Sequence, residues 1–226
     1  MQSWVLTDSF SFGVGERRTT AHFYGAPGSR AVLVLAPGAG APHTHPWMVA
    51  IARAIAERGA SVVTFNFLYA EAKRRAPDRN DVLEGTWQAA ITEVRAKTNI
   101  SDDRLFIGGK SMGGRIATQV AAAADARFAG LVLLGYPLHP PGKPLQLRSA
   151  HLSRVRAPML FVQGSRDPFG SPDELTPVLR EAGCNARIFV VEGGDHSFGV
   201  PKRSGGSLES AVTTVADEVT RFIGSR

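Results

Sequence analysis

The stretch Arg104-Leu105-Phe106-Ile107-Gly108-Gly109-Lys110-Ser111-Met112-Gly113-Gly114 decides how the whole chain is read. Its first four residues predict a strand, and Met112 to Ala124 predicts a helix. Between them stands a G-x-S-x-G turn made by Gly109, Ser111 and Gly113. Only residues without bulky side chains let a strand and a helix approach this closely through so sharp a turn. The Ser111 hydroxyl is then expected to project above the strand end, with the helix N-terminus beneath it.

Outward from this turn, strand and helix keep alternating. Upstream, Ala31–Ala36 is a continuous apolar run, the mark of a strand covered on both faces. The loop Pro37–Pro46 follows it, then a helix near Trp47–Arg58 that ends at Gly59. Ser61–Phe65 predicts the next strand, Asn66 to Asn80 a basic loop, and Val82–Lys97 a helix. Downstream come a strand at Gly130–Leu134, a loop holding the four prolines of 137–144, a strand at Pro158–Val162 and a helix at Pro172–Ala182. A strand at Arg187–Val191 and an amphipathic helix near Leu208–Ile223 close the series. The first thirty residues predict peripheral strands at Trp4–Leu6 and Thr19–Tyr24, around a turn-rich Gly13-Val14-Gly15. The expectation is an α/β fold: a doubly wound, mostly parallel sheet in one domain over 1–226. Only 23 residues separate Leu134 from Pro158, which leaves no room for a large cap domain.

Composition narrows the function classes. With 226 residues, 43% hydrophobic and 20% charged, the chain can bury one sizeable core and is too apolar for disorder. No apolar run approaches the ~20 residues of a membrane span, so no membrane partner is expected. Met1 to Asp8 lacks the pattern of a signal peptide. The one cysteine, Cys184, excludes an intrachain disulfide or a zinc site of several thiolates and fits a reducing cytoplasm, the expected location. A net charge of +6 is ordinary for solubility. With neither stacking aromatics nor a recognition helix in view, nucleic acid is not an expected partner. His43 and His45 lie two apart with no carboxylate cluster near them, so neither a metal nor another cofactor is expected.

Ligands of such sheets sit beyond the carboxyl ends of the strands, and three strand-end loops there carry chemistry. Ser111 is weakly nucleophilic until a base takes its proton. His196, in Glu192-Gly193-Gly194-Asp195-His196-Ser197-Phe198, is the candidate base. Asp167, in Gln163-Gly164-Ser165-Arg166-Asp167-Pro168-Phe169-Gly170, is the candidate acid behind it. Asp195 is the rival acid, but a sequence neighbour is poorly placed to orient the imidazole. The chain order Ser, Asp, His is that of a nucleophile-elbow hydrolase. Pro37-Gly38-Ala39-Gly40 supplies a backbone donor, Ala39 first and Gly40 second, to pair with the Met112 amide in an oxyanion hole.

These residues resemble the α/β-hydrolase superfamily, and within it the small dienelactone-hydrolase-like proteins. Within that group, the sequence looks like the branch that includes a subunit of the NSL histone acetyltransferase complex and its bacterial relatives. The resemblance rests on Pro37–Gly40, Tyr69 to Asp78, Gly109–Arg115, Gln163–Gly170 and Asp195–Ser197, and spans about residues 30–223. Two departures stand out: dienelactone hydrolases proper have cysteine where this chain has Ser111, and many relatives have histidine where it has Pro37. The resemblance implies a serine hydrolase with Ser111, Asp167 and His196 in the triad and Ala39 and Met112 at the oxyanion hole. Its substrate would be a small ester or thioester, with acyl length, leaving group and oligomeric state left open. Gly40, His43, Lys110, Arg74 and Arg75 are candidate substrate-binding residues. The alternative is a hydrolase-fold scaffold that binds an anionic partner through the basic loop holding Lys73, Arg74, Arg75 and Arg79.

Overall fold

The computed structural model describes residues 6–123, 125–199 and 208–226. Eight strands form one sheet: β1 (Leu6–Val14), β2 (Arg17–Gly25), β3 (Val32–Ala36), β4 (Ser61–Phe65), β5 (Leu105–Lys110), β6 (Gly130–Leu134), β7 (Met159–Gly164) and β8 (Ala186–Val191). Their spatial order is β1-β2-β4-β3-β5-β6-β7-β8. The hairpin β1–β2 and the β2–β4 pair are antiparallel, and every other pair is parallel. The helices are α1 (Pro46–Glu57), α2 (Leu68–Glu71), α3 (Asn80–Thr98), α4 (Met112–Ala121), α5 (Pro172–Glu181) and α6 (Leu208–Gly224). Among the described residues no helix is long and apolar enough to cross a membrane.

The continuous apolar runs are strands buried on both faces. β3, β4 and β6 are buried along their whole length. Successive side chains point to opposite faces, so the runs feed two separate cores. Val32, Val34 and Ala36 join Trp87, Ile91, Ile116 and Ala117 in the layer of α3 and α4. Leu33 and Leu35 join Met48, Ile51, Ile55, Val215 and Val219 in the layer of α1 and α6. Residues 135–158 connect β6 to β7 with one 3-10 turn at Leu152–Arg154, and no cap domain covers the sheet edge.

Four elements differ from the sequence reading. β1 runs through Gly13 and Val14, because Phe10, Phe12 and Val14 alternate onto the core face; the turn is Gly15-Glu16, with Gly15 at φ 58°. The part of the expected Trp4–Leu6 strand before Leu6 lies outside the described residues. A short helix, α2, interrupts the basic loop, and Phe67 to Tyr69 are buried there. β5 continues through Gly108-Gly109-Lys110, pairing β3 on one side and β6 on the other. α4 ends at Ala121 rather than Ala124, and Ala124 itself is outside the described residues.

Glycine at 108 is what lets β5 and β6 lie this close. A Cβ there would stand 1.9 Å from the Val132 carbonyl oxygen, a backbone atom fixed by the ladder. Gly108→Ala is therefore expected to destabilise the protein by more than about 3 kcal/mol. Gly85, on α3 with open space around its Cβ position, is the control: Gly85→Ala should stabilise by about 0.5–1 kcal/mol. Urea midpoints of the two variants against the parent protein check both signs.

Candidate active site

The turn from β5 into α4 holds Ser111 at φ 51° and ψ −118°, a left-handed backbone in a residue other than glycine. Such a conformation persists only where its surroundings over-determine it. Here the Ser111 amide donates to the Leu134 carbonyl at 2.9 Å and the Arg115 amide returns to the Ser111 carbonyl at 3.0 Å. Gly113 lets the helix start against the loop after β3: a Cβ there would come within 2.5 Å of the Pro37 carbonyl oxygen.

Three strand-end loops converge above this turn. Ser111 Oγ lies 2.8 Å from His196 Nε2, and His196 Nδ1 lies 2.8 Å from Asp167 Oδ2. With Asp167 ionised, Nδ1–H donates to the carboxylate and Nε2 is left to accept the serine proton. The imidazole also lies tilted against the Phe169 ring, centroids 4.2 Å apart. Asp167 is 3% exposed, and a buried carboxylate needs its oxygens occupied. The Phe169 amide donates to Oδ1 at 2.9 Å, and Gln163 Nε2 donates to Oδ2 at 2.9 Å. Gln163 is itself fixed by donating to the Gly170 carbonyl and accepting from the Tyr136 amide. Asp195 is occupied elsewhere: its Oδ1 accepts the amides of Ser197 and Gly199, shaping its own turn. An arrangement of this kind can withdraw a proton from Ser111 and return it to a leaving group.

Ala39 and Met112 border the same cleft. Neither amide meets a protein acceptor among the described residues. The cleft encloses about 1180 Å³, with Ser111 and His196 in its wall.

The model of the alpha/beta hydrolase domain family matches residues 29–224. This chain belongs to the alpha/beta hydrolase family. Its fold is shared with a dienelactone hydrolase from Anabaena variabilis: TM-score 0.78, 19% identity, 98% of each chain covered. A serine hydrolase homologue from Coxiella burnetii superposes at TM-score 0.75 with 18% identity over 97% of this chain and 99% of the other. A serine hydrolase without a lid from Xanthomonas campestris does so at 0.72 with 20% identity over 96% and 94%.

Several candidate substrate contacts of this hydrolase stand elsewhere than the sequence suggests. Gly40 cannot serve as oxyanion donor, because its amide donates to the buried Tyr69 hydroxyl at 3.0 Å. His43 is buried outside the cleft: its amide donates to Asn66 Oδ1, and its ring meets Thr64 Oγ1 at 3.1 Å and the edge of His22. Arg74 and Arg75 do not line the cleft either. α2 and the positive φ of Lys73 turn the chain there, and Arg74 bridges to Asp78 at 2.5 Å. Lys110 does border the cleft, but its ammonium donates to the His196 carbonyl at 2.5 Å. Burial lowers its pKa to about 8 against the opposing charges of Asp167 and Asp195. Lys110 therefore holds the His196 loop rather than standing free for a ligand. The sequence reading missed Gln163, whose only signal is a polar residue closing the apolar run of β7. It also missed Arg115 and Arg148, both of which line the cleft.

The buried imidazole of His43 makes stability depend on pH. Burial chiefly, with His22 adding to it and Glu71 opposing, lowers its pKa to about 4. His151 is also lowered to about 4, by burial and then by Arg115 and Arg154. The unfolded chain takes up these protons near pH 6.5 and the folded protein only near 4. Stability is thus complete above pH 6.5 and falls between 6.5 and 4, by about 1–3 kcal/mol for each histidine. Urea unfolding at pH 7.5 and 5 should show this loss, and His43→Gln should flatten the slope.

Proposed function

We propose that this protein is a serine hydrolase of small carboxylic esters or thioesters, working through an acyl-enzyme. The observation that carries the reading is the unbroken hydrogen-bonded chain from Ser111 Oγ through His196 to Asp167, each link 2.8 Å. Ser111 Oγ attacks the substrate carbonyl carbon as its proton passes to His196 Nε2. Negative charge gathers on the carbonyl oxygen, where the Ala39 and Met112 amides donate to it. Collapse of the tetrahedral adduct breaks the bond to the leaving oxygen or sulfur, which takes the proton from the imidazolium. A water then gives its proton to His196 and attacks the acyl carbon. Collapse of this second adduct breaks the bond to Ser111 Oγ, which takes the proton back from His196 as the acid leaves. Asp167 keeps the imidazole in the tautomer this sequence needs and stabilises its charged form. No cofactor enters the scheme.

The uncovered cleft supports a small or surface-presented acyl group, since no cap domain encloses the substrate. In the basic loop of the scaffold alternative Arg74 is paired with Asp78 and Arg79 with Asp81, while Lys73 and Arg75 are exposed.

A fluorophosphonate probe read by intact mass should add one adduct, absent in Ser111→Ala at unchanged fold. An adduct on another serine, or none on the parent protein, refutes the mechanism. The acid is tested separately. Asp167→Asn should lower kcat by up to ~10⁴, whereas Asp195→Asn, which loosens only a turn, should be far milder. The reverse ranking would assign the acid to Asp195.

A further inference from the structure

The cleft crosses the edge of the sheet, and its two ends differ in chemistry. On the side of α1 and α6 its wall is apolar, built from Trp47, Met48, Phe198 and Ala211, all members of one core. On the side of α3 and α4 the wall carries two guanidinium groups, Arg115 and Arg148. Ser111 lies between the two ends, just beyond β5, a strand that divides the two layers.

Arg115 is one helical turn beyond Ser111, half-buried, and its Nη1 donates only weakly to Gln119 at 3.3 Å. Arg148 comes from the connection between β6 and β7. Its backbone is pinned at both groups, the amide to the Leu138 carbonyl at 2.8 Å and the carbonyl to the Tyr136 hydroxyl at 2.7 Å, while the residue stays exposed. Among the described residues neither arginine has an ion-pair partner. Asp78, on the same wall, pairs with Arg74 through Oδ1 alone, its Oδ2 having no hydrogen-bond partner among the described residues, and Glu84 acts on Arg115 from beyond ion-pair distance. Burial holds the Arg115 guanidinium below its ordinary value. Tyr136 and Glu84 work against that, and the Arg148 charge works with it. Two guanidinium groups on one cleft wall, neither in an ion pair, are donors that a planar or tetrahedral oxyanion satisfies.

We propose that Arg115 and Arg148 form an oxyanion-recognition subsite, and that the substrate is an amphipathic ester or thioester with an apolar portion on one side of the scissile carbonyl and a carboxylate or phosphate on the other. This rests on the acyl-transfer reading of Ser111 and adds the substrate class to it. The apolar portion lies along Trp47 and Met48, and the anion sits between the two guanidinium groups.

The test compares thioesters by release of free thiol. The octanoyl thioester of 3-mercaptopropionate is set beside that of its neutral carboxamide, and beside the octanoyl thioester of a mercaptoalkyl phosphate. The reversed arrangement, an octanethiol monothioester of glutarate, is set beside its own carboxamide. At least one anionic compound should exceed its neutral counterpart in kcat/KM by about tenfold or more. The advantage should shrink at high salt. Which pair shows it tells carboxylate from phosphate and fixes the orientation. Arg148→Gln should bring the ratio of anionic to neutral turnover close to one, with Arg148→Lys retaining part of it. Arg115→Gln should act in the same direction, and Arg148 decides alone if that variant does not fold. Anionic and neutral thioesters turned over equally, or a preference indifferent to both substitutions, overturns the subsite while leaving the Ser111 mechanism intact. Failure of every thioester together with failure of fluorophosphonate labelling overturns the underlying reading, and the subsite with it.

Discussion

The left-handed turn at Ser111 is the constraint around which the rest of this hydrolase is arranged. A non-glycine residue at positive φ costs about 1–2 kcal/mol, and the fold must recover that elsewhere. It does so by clamping the turn between two central neighbours of β5. β6 receives the Ser111 amide at Leu134, and the loop after β3 lies against Gly113. The run of glycines on either side is therefore a packing requirement before it is a chemical one. A larger side chain at 113 would lift α4 off the β3 loop, and Ser111 would lose both its exposure and its relation to the Ala39 amide.

The second constraint is the buried charge of Asp167. A carboxylate with almost no solvent contact is tolerable only when hydrogen bonds replace its water. Its three donors come from Phe169, Gln163 and His196. Gln163 also binds the Tyr136 amide and the Gly170 carbonyl, so it joins the loops after β6 and β7 in one network. Lys110 closes the arrangement from the serine side, with its ammonium on the His196 carbonyl. The three strand-end loops are thus held to one another by polar groups that are themselves fixed, which keeps Ser111, His196 and Asp167 at a defined distance.

Much of this was legible in the sequence, for a physical reason. Continuous apolar runs such as Ala31–Ala36 and Gly130–Leu134 have one outcome, a strand covered on both faces. Ser111, Asp167 and His196 follow β5, β7 and β8, parallel strands that end on one edge of the sheet. What escaped were facts about side-chain direction. His43 and Arg74 occupy functional loops by number, yet one turns into a polar cluster with Thr64 and Asn66, and the other folds back onto Asp78. Arg115 and Arg148 lie 33 positions apart, and nothing in their spacing says that a loop after β6 comes back over α4. Gln163 looked like the end of a strand, because only the folded loop shows which carboxylate it meets.

The same two-layer architecture sets the character of the uncovered cleft. In a hydrolase with a cap, specificity can reside in the cap; here the wall of the cleft must be made from the tops of the two cores. α1 and α6 meet over one face of the sheet, and their junction exposes the apolar groups of Trp47, Met48 and Ala211 to the cleft. On the other face the core is closed by α3 packing on α4, and there polar groups, Asn80, Asp78 and Arg115, join the apolar Leu83 and Met112 in the cleft wall. The polarity of the cleft therefore follows where the two helical layers end relative to β5, the strand that leads into Ser111.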